Sequence, residues 1–294
     1  MTTPASISPG TLGVVAGRSG ARWLGDHAKL VGGAAITAAF VFVALLSRVW
    51  TPEIPTRVRI LAKLQAPLTN GLLGTDHLGR DVLSMLMAGA FNSLSIAALS
   101  VAVGMTIGTA LGVAAAARRG LFEAIVLRIC DAMFAFPPIL SAIMAGALLG
   151  PGAATAIVTI GTFMVPVFAR VTRGAALQIW AREYVLAARM AGRNNFAITF
   201  VHIIPNIASQ IIIQIAIQLA LAILTEAGLS FLGLGVPPPT PSWGRMLADS
   251  QTYLGLAPYL ALAPGITIAL AVLGLNLLGD GLRDYIDPRR RLGG

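Results

Sequence analysis

Six stretches of this chain, at about 30–49, 93–117, 132–150, 153–172, 207–227 and 259–279, are apolar for long enough to cross a bilayer. A hydrocarbon core of about 30 Å takes about 20 helical residues. Nothing else in the sequence restricts the fold so tightly, because a segment in lipid must satisfy its own backbone hydrogen bonds. The runs are continuously apolar, whereas a membrane-spanning strand would alternate over about ten residues, so they are helices and not barrel strands. The expected fold is all-α: a polytopic membrane protein with six transmembrane helices. Composition agrees, since 11% of the residues are charged against about 25% in a soluble domain.

The first run follows Arg18, Arg22 and Lys29, as a signal peptide would, but its apolar core is too long and five further spans follow. It reads as an uncleaved first helix. Basic residues then set the orientation. With the N-terminus inside, fifteen of the 21 lysines and arginines fall on the inner side, and six (Arg48, Arg57, Arg59, Lys63, Arg80 and Arg245) on the outer side. The expected organisation is a cytoplasmic segment 1–29, the first span 30–49, and an extracytoplasmic segment 50–92. A five-helix core 93–279 follows, with a cytoplasmic loop 173–206 and an extracytoplasmic loop 228–258, and then a cytoplasmic tail 280–294. Trp23, Trp50, Trp180 and Trp243 lie outside or at the ends of the spans, where interfacial anchoring would put them.

The net charge of +9 is accounted for by these topology-setting residues, and no nucleic-acid partner is expected. Cys130 is the single cysteine, so there is no internal disulfide and no CxxC motif. Gly104, Gly108 and Gly112 recur every four residues in the second span and form a smooth stripe for close helix packing. Pro137-Pro138 and Pro166 are expected to bend or unwind the third and fourth spans, either along a translocation path or as plain packing irregularities.

Several chemistries are excluded. His27, His77 and His202 are widely spaced, so HExxH is absent, and neither GxSxG nor paired intramembrane aspartates occur. Ion-coupled carriers place ionisable residues at depth, but here Asp131, Glu226 and Asp280 are expected near span ends. Lys29 and Lys63, the only lysines, are not in GxxxxGK[ST]. The chain is not expected to be an enzyme or to hold a cofactor, and it has no energy source of its own. A membrane channel or permease driven from outside remains, with a self-contained channel or secondary carrier as the rival class.

Against this background the stretch EYVLAARMAGRNNFAITFVHIIPN, residues 183–206, stands out. A helix of about eleven residues, 181–191, has Glu183 in its first turn, where the helix dipole favours a carboxylate. Ala187, Ala188 and Ala191 leave one side small, and Gly192 is placed to end the helix in a left-handed conformation. Asn194 or Asn195 caps a second short helix, and Pro205 opens the fifth span. The product is a compact helix–turn–helix knob whose small face suits a groove on a partner; an amphipathic helix lying on the bilayer is the plainer reading.

This stretch resembles the EAA loop of ABC-importer permeases, with Glu183, Tyr184, Ala187, Ala188, Gly192, Ile203 and Pro205 in matching places. GTDHLGRDVLS (74–84), LSFLGLGVPPPTPSWGRMLAD (229–249) and GDGLRDYIDPR (279–289) are similar to the C-type subunit of the dipeptide and oligopeptide permease family. The resemblance runs in order from about 30 to 290. It implies the type I ABC-importer permease fold in a bacterial plasma membrane, with both termini cytoplasmic. It also implies a homologous second permease, two ABC ATPase subunits that bind ATP and magnesium, and an extracytoplasmic peptide-binding protein. Glu183 would be the polar contact to the ATPase, the alanines its close-packed face, and Gly192 the turn that sets the knob's angle. Nickel or haem is the alternative cargo. Met85 and Phe91 stand where family members usually have arginines, and asparagine is usual near Arg245, which bears on the outer rim and on the cargo.

Overall fold

The computed structural model describes residues 27–286. Among them the regular structure is helical, without a strand. Helix α1 is Ala28–Leu46, α2 is Val82–Arg118, α3 is Gly120–Ala135, α4 is Pro138–Leu149 and α5 is Ala153–Trp180. Then come α6 (Glu183–Met190), α7 (Asn195–Ile198), a wide turn at Thr199–Ile203, α8 (Ile204–Phe231), α9 (Trp243–Ser250) and α10 (Tyr259–Ile286). Among the described residues five helices are long and apolar enough to cross a membrane, or six if the bent pair α3–α4 counts as one span. Arg18, Arg22, Trp23, Arg289, Arg290 and Arg291, and most of the segments 1–29 and 280–294, lie outside the described residues.

Several expected boundaries move. The second helix starts eleven residues before its apolar core, so residues 82–92 are helical. Asp81 is extended and its carboxylate accepts from the backbone N–H of Ser84 at 2.8 Å, the geometry of an N-cap. Helix α10 likewise runs to Ile286, and α5 continues through Arg173 to Trp180, both past the expected span ends.

The third span departs most. It is not a single helix over 132–150 but two helices meeting at about 90°, broken at Phe136-Pro137. Pro138 opens the second of them at its first turn, where a missing N–H costs nothing. Asp131 is therefore well inside α3 and not at a span end. Pro166, by contrast, does not interrupt α5: the helix continues through it, and its ring is buried.

The molecule is organised around α2. Its longest contact is with α5, and the glycine stripe lies on that seam. Helix α1 packs mainly on α10, while α8 touches α2, α5 and α10. The main core joins α1, α2, α5, α8 and α10, and a second cluster of Val113, Ala176, Trp180, Val185, Ile198, Ile203 and Ile207 closes the end that carries α6.

At the other end, the segment 50–81 and helix α9 form a cap. Asp76 accepts from the Arg80 side chain at 2.6 and 2.7 Å, Arg80 reaches Asp249 of α9 at 3.7 Å, and Arg245 pairs with Asp249 at 3.0 Å. The GTDHLGRD motif is thus the tie that holds this loop to α9. Met85 is buried in the core and so is not on the rim; Phe91 is half-buried beneath the Arg48 guanidinium, 4.8 Å away.

Trp243 and Trp180 are not interfacial anchors; they are 0% and 7% exposed. The indole N–H of Trp243 donates to the Leu86 carbonyl at 3.1 Å, its ring meets Phe40 edge-on, and Asn92 holds the neighbouring Pro241 carbonyl at 2.7 Å. A fully buried indole with its N–H satisfied gains more from packing than from an interface. Trp243→Ala is expected to cost about 3–5 kcal/mol, which would show as an earlier loss of the monodisperse peak when the purified chain is heated before gel filtration.

Candidate functional site: the knob between α5 and α8

The chain leaves α5 at Trp180 and turns through Ala181 and Arg182, whose extended backbone (φ −77°, ψ 144°) starts α6 at Glu183. That delay makes the helix eight residues long and not eleven. Its C-terminus is a Schellman motif: the N–H of Arg193 donates to the Ala188 carbonyl at 3.2 Å, and that of Gly192 to Arg189 at 3.0 Å. Gly192 has φ +80°, a left-handed conformation that suits glycine. Asn194 then caps the next helix by accepting from the Ala197 N–H at 2.7 Å.

Pro205 stands in the first turn of α8, as expected, and α7, the wide turn and α8 run on as one 37-residue helical stretch, Asn195–Phe231. The N–H of Ile204 reaches back five residues to the Thr199 carbonyl. A π-turn just before Pro205 is one way to absorb the donor that proline lacks.

The knob is built on an apolar floor. Val185, Ile198 and Ile203 are 0% exposed, and Ala188 packs against them. Ile203 therefore supports the knob from within. The outward face of α6 carries Glu183, Leu186, Ala187 and Met190, at helical spacings of three and four. Tyr184 is half-exposed and meets His202 edge-on at 6.0 Å between ring centres. Gly192 and Pro205 are exposed at the two ends of the turn region.

Large apolar side chains dominate the exposed surface. Met190 is 89% exposed, Phe196 72% and Leu186 50%. Sequence reasoning took the alanines as the contact face, and of these Ala187 and Ala191 are exposed while Ala188 is half-buried; it did not single out Met190, Phe196 and Leu186, whose signal was large apolar residues in a stretch otherwise rich in arginine. An exposed apolar patch with a polar rim marks a protein or membrane contact. Beside the knob is a groove of about 740 Å³ between α2 and α7–α8, lined by Met105, Thr109, Val113, Arg118, Phe196 and Phe200. The Asn195 side chain donates to the Ala117 carbonyl at 3.4 Å and links the knob to the end of α2.

Known proteins resemble this chain in sequence and in fold. Residues 104–292 match the family described as "binding-protein-dependent transport system inner membrane component". The glutathione transport system permease protein GsiD of Pectobacterium atrosepticum is 44% identical over 225 residues, 76% of this chain and 75% of the relative. The dipeptide transport system permease protein DppC of Alkalihalophilus pseudofirmus is 38% identical over 259 residues, covering 88% and 85%. The di/tripeptide transport system permease protein DppC of Pseudomonas aeruginosa is 43% identical over 218 residues, covering 74% and 72%. In fold, the chain is similar to the inward-facing MetNI methionine ABC transporter, with a TM-score of 0.59 at 19% identity over 69% of this chain and 97% of the other. With a family match over most of its length and relatives this similar, the chain is a multi-pass membrane protein that belongs to the binding-protein-dependent transport system inner membrane component family.

Proposed function

We propose that this chain is a permease subunit of an ATP-driven importer of short peptides, and that the 183–206 knob is the element through which partner ATPases move it. The observation that carries the coupling reading is the knob's construction. Its apolar and acidic face points away from the bundle while its floor is fused to α5 and α8. A push on α6 is delivered to two spans at once, because Val185, Ile198 and Ile203 pack against Ala176 and Trp180 of α5 and Ile207 of α8. A close-packed cluster transmits displacement with little give.

The mechanism is alternating access. ATP and magnesium bind to two ABC ATPase subunits; their closure draws the knobs of this chain and of a second, homologous permease together, and the pair opens outward to an extracytoplasmic binding protein. Hydrolysis resets the inward state. In this arrangement the α6 end is cytoplasmic, as are both termini, the cap of 50–81 and α9 is extracytoplasmic, and the chain itself needs no cofactor. Peptide is favoured over nickel or haem because the relatives above are named for dipeptides, di/tripeptides and glutathione.

Purification through a C-terminal tag, followed by mass spectrometry, tests the assembly: a second permease and ABC ATPases are expected to co-purify. Glu183→Ala is expected to lower the recovered ATPase several-fold while the amount of inserted chain is unchanged, and Leu186→Asp with Met190→Asp to remove it. Recovery of the chain alone under conditions that preserve other transporters would refute the coupling role.

A further inference from the structure

Two ion pairs join α3 to α5: Arg170 with Asp131, and Arg173 with Glu123. They differ in environment. The Glu123 and Arg173 side chains are 17% and 30% exposed, a half-buried tie between the helices. Asp131 and Arg170 are 55% and 44% exposed and face away from the bundle. Both sit on helices apolar enough to count among the candidate membrane spans, where an outward-facing charged pair is costly against lipid, so this face meets water or protein. The same face carries Arg128, exposed one turn back on α3. The 90° break at Phe136-Pro137 follows within two turns, and broken backbone at membrane depth is tolerated where it lines a cavity or packs on protein.

We propose that Asp131 and Arg170 form a transient binding site for the two charged ends of a short peptide in the translocation path. This rests on the peptide-importer reading above and adds to it the residues that hold the cargo. The peptide ammonium takes the place of Arg170 at the Asp131 carboxylate, and the peptide carboxylate takes the place of Asp131 at the guanidinium, which offers a planar fork of donors. Each charge gives up one partner for another of the same sign, so binding is close to an exchange and stays weak enough for release, as passage requires. Arg170 lies over the Phe134 ring, 4.6 Å from its centre, which holds the guanidinium in place while its carboxylate partner is exchanged. The Arg173–Glu123 pair keeps α3 on α5 meanwhile.

The test uses the whole complex in proteoliposomes with its binding protein, following dialanine uptake and ATP hydrolysis together. Asp131→Asn with Arg170→Gln, which keeps both positions polar and removes both charges, is expected to lower the number of peptides imported per ATP by roughly tenfold or more. Arg170→Lys, which keeps the charge and loses the fork, is expected to lower it by a smaller factor. An unchanged ratio in the double variant would place the pair off the path, against the second permease. If the double variant fails to assemble, the Arg170→Lys ratio decides, and an unchanged value overturns the site. A wild-type complex that hydrolyses ATP with its binding protein but imports no dialanine refutes the peptide reading itself.

Discussion

Gly112→Val is expected to abolish the stable permease, and Gly112→Ala to weaken it severely. A Cβ on Gly112 would lie 2.2 Å from the Thr172 hydroxyl and 2.3 Å from the Ala169 carbonyl oxygen, inside any real contact distance. The obstacle is partly backbone, and it stands on the longest helix contact in the chain. The neighbours repeat the constraint: a Cβ on Gly108 would be 2.5 Å from the Val165 carbonyl oxygen, and one on Gly104 2.4 Å from the Met164 Cβ. Any side chain on this stripe must push α5 away along its length. Overpacking a tight core costs about 1–3 kcal/mol for modest intrusions, and an apolar seam in lipid has no hydrophobic reserve with which to reseal, since its stability comes from close packing. Gly174→Ala on α5 is the matched control, because nothing lies within 4 Å of the added carbon. Heating detergent-solubilised chains and measuring the fraction that stays monodisperse should rank wild type and Gly174→Ala together, then Gly112→Ala, with Gly112→Val unrecovered. A Gly112→Val chain as stable as wild type would mean that α2 and α5 do not approach as closely as described.

The parts of the fold legible in the sequence were those whose cause is local. Span positions follow from apolar length, and the stripe from a period of four. The knob's turn was legible because a left-handed glycine and a capping asparagine act on their own neighbours. Where the cause lay elsewhere in the chain, the reading failed. Trp243 looked like an interfacial anchor because its burial depends on Leu86 and Phe40, far away in sequence. Asp131 looked like a span end because an apolar count stops at a carboxylate; the arginine that makes it tolerable is on α5, 39 residues on. The outward side of α6 was only partly legible, for a related reason. Which residues face out depends on where Val185 finds its partners, and Ile198 and Ile203 come from the other side of the turn.

Gly192→Asp is expected to leave the chain inserted and abolish peptide uptake. The space around residue 192 is open, with nothing within 4 Å of an added Cβ, so no clash unfolds the bundle. The penalty is conformational: a residue with a side chain at φ +80° costs about 1–2 kcal/mol. The new carboxylate adds about 0.3–1 kcal/mol more, because it stands at the C-terminal, negative end of the α6 dipole. These are small sums for a six-span protein but large for α6, since eight residues are too few to hold a helix without tertiary support. Losing the Schellman bonds from Gly192 and Arg193 frees the end of the helix that carries Met190, and under the proposed coupling the surface offered to an ATPase loses its fixed angle. Gly192→Asn separates the causes, because asparagine tolerates the left-handed region better than most residues and brings no charge. It is expected to retain much of the uptake, with ATPases co-purifying as in wild type. If asparagine were as inactive as aspartate, the bare glycine surface would be part of the contact; if the aspartate variant imported peptide at the wild-type rate, the angle of the knob would not matter to coupling.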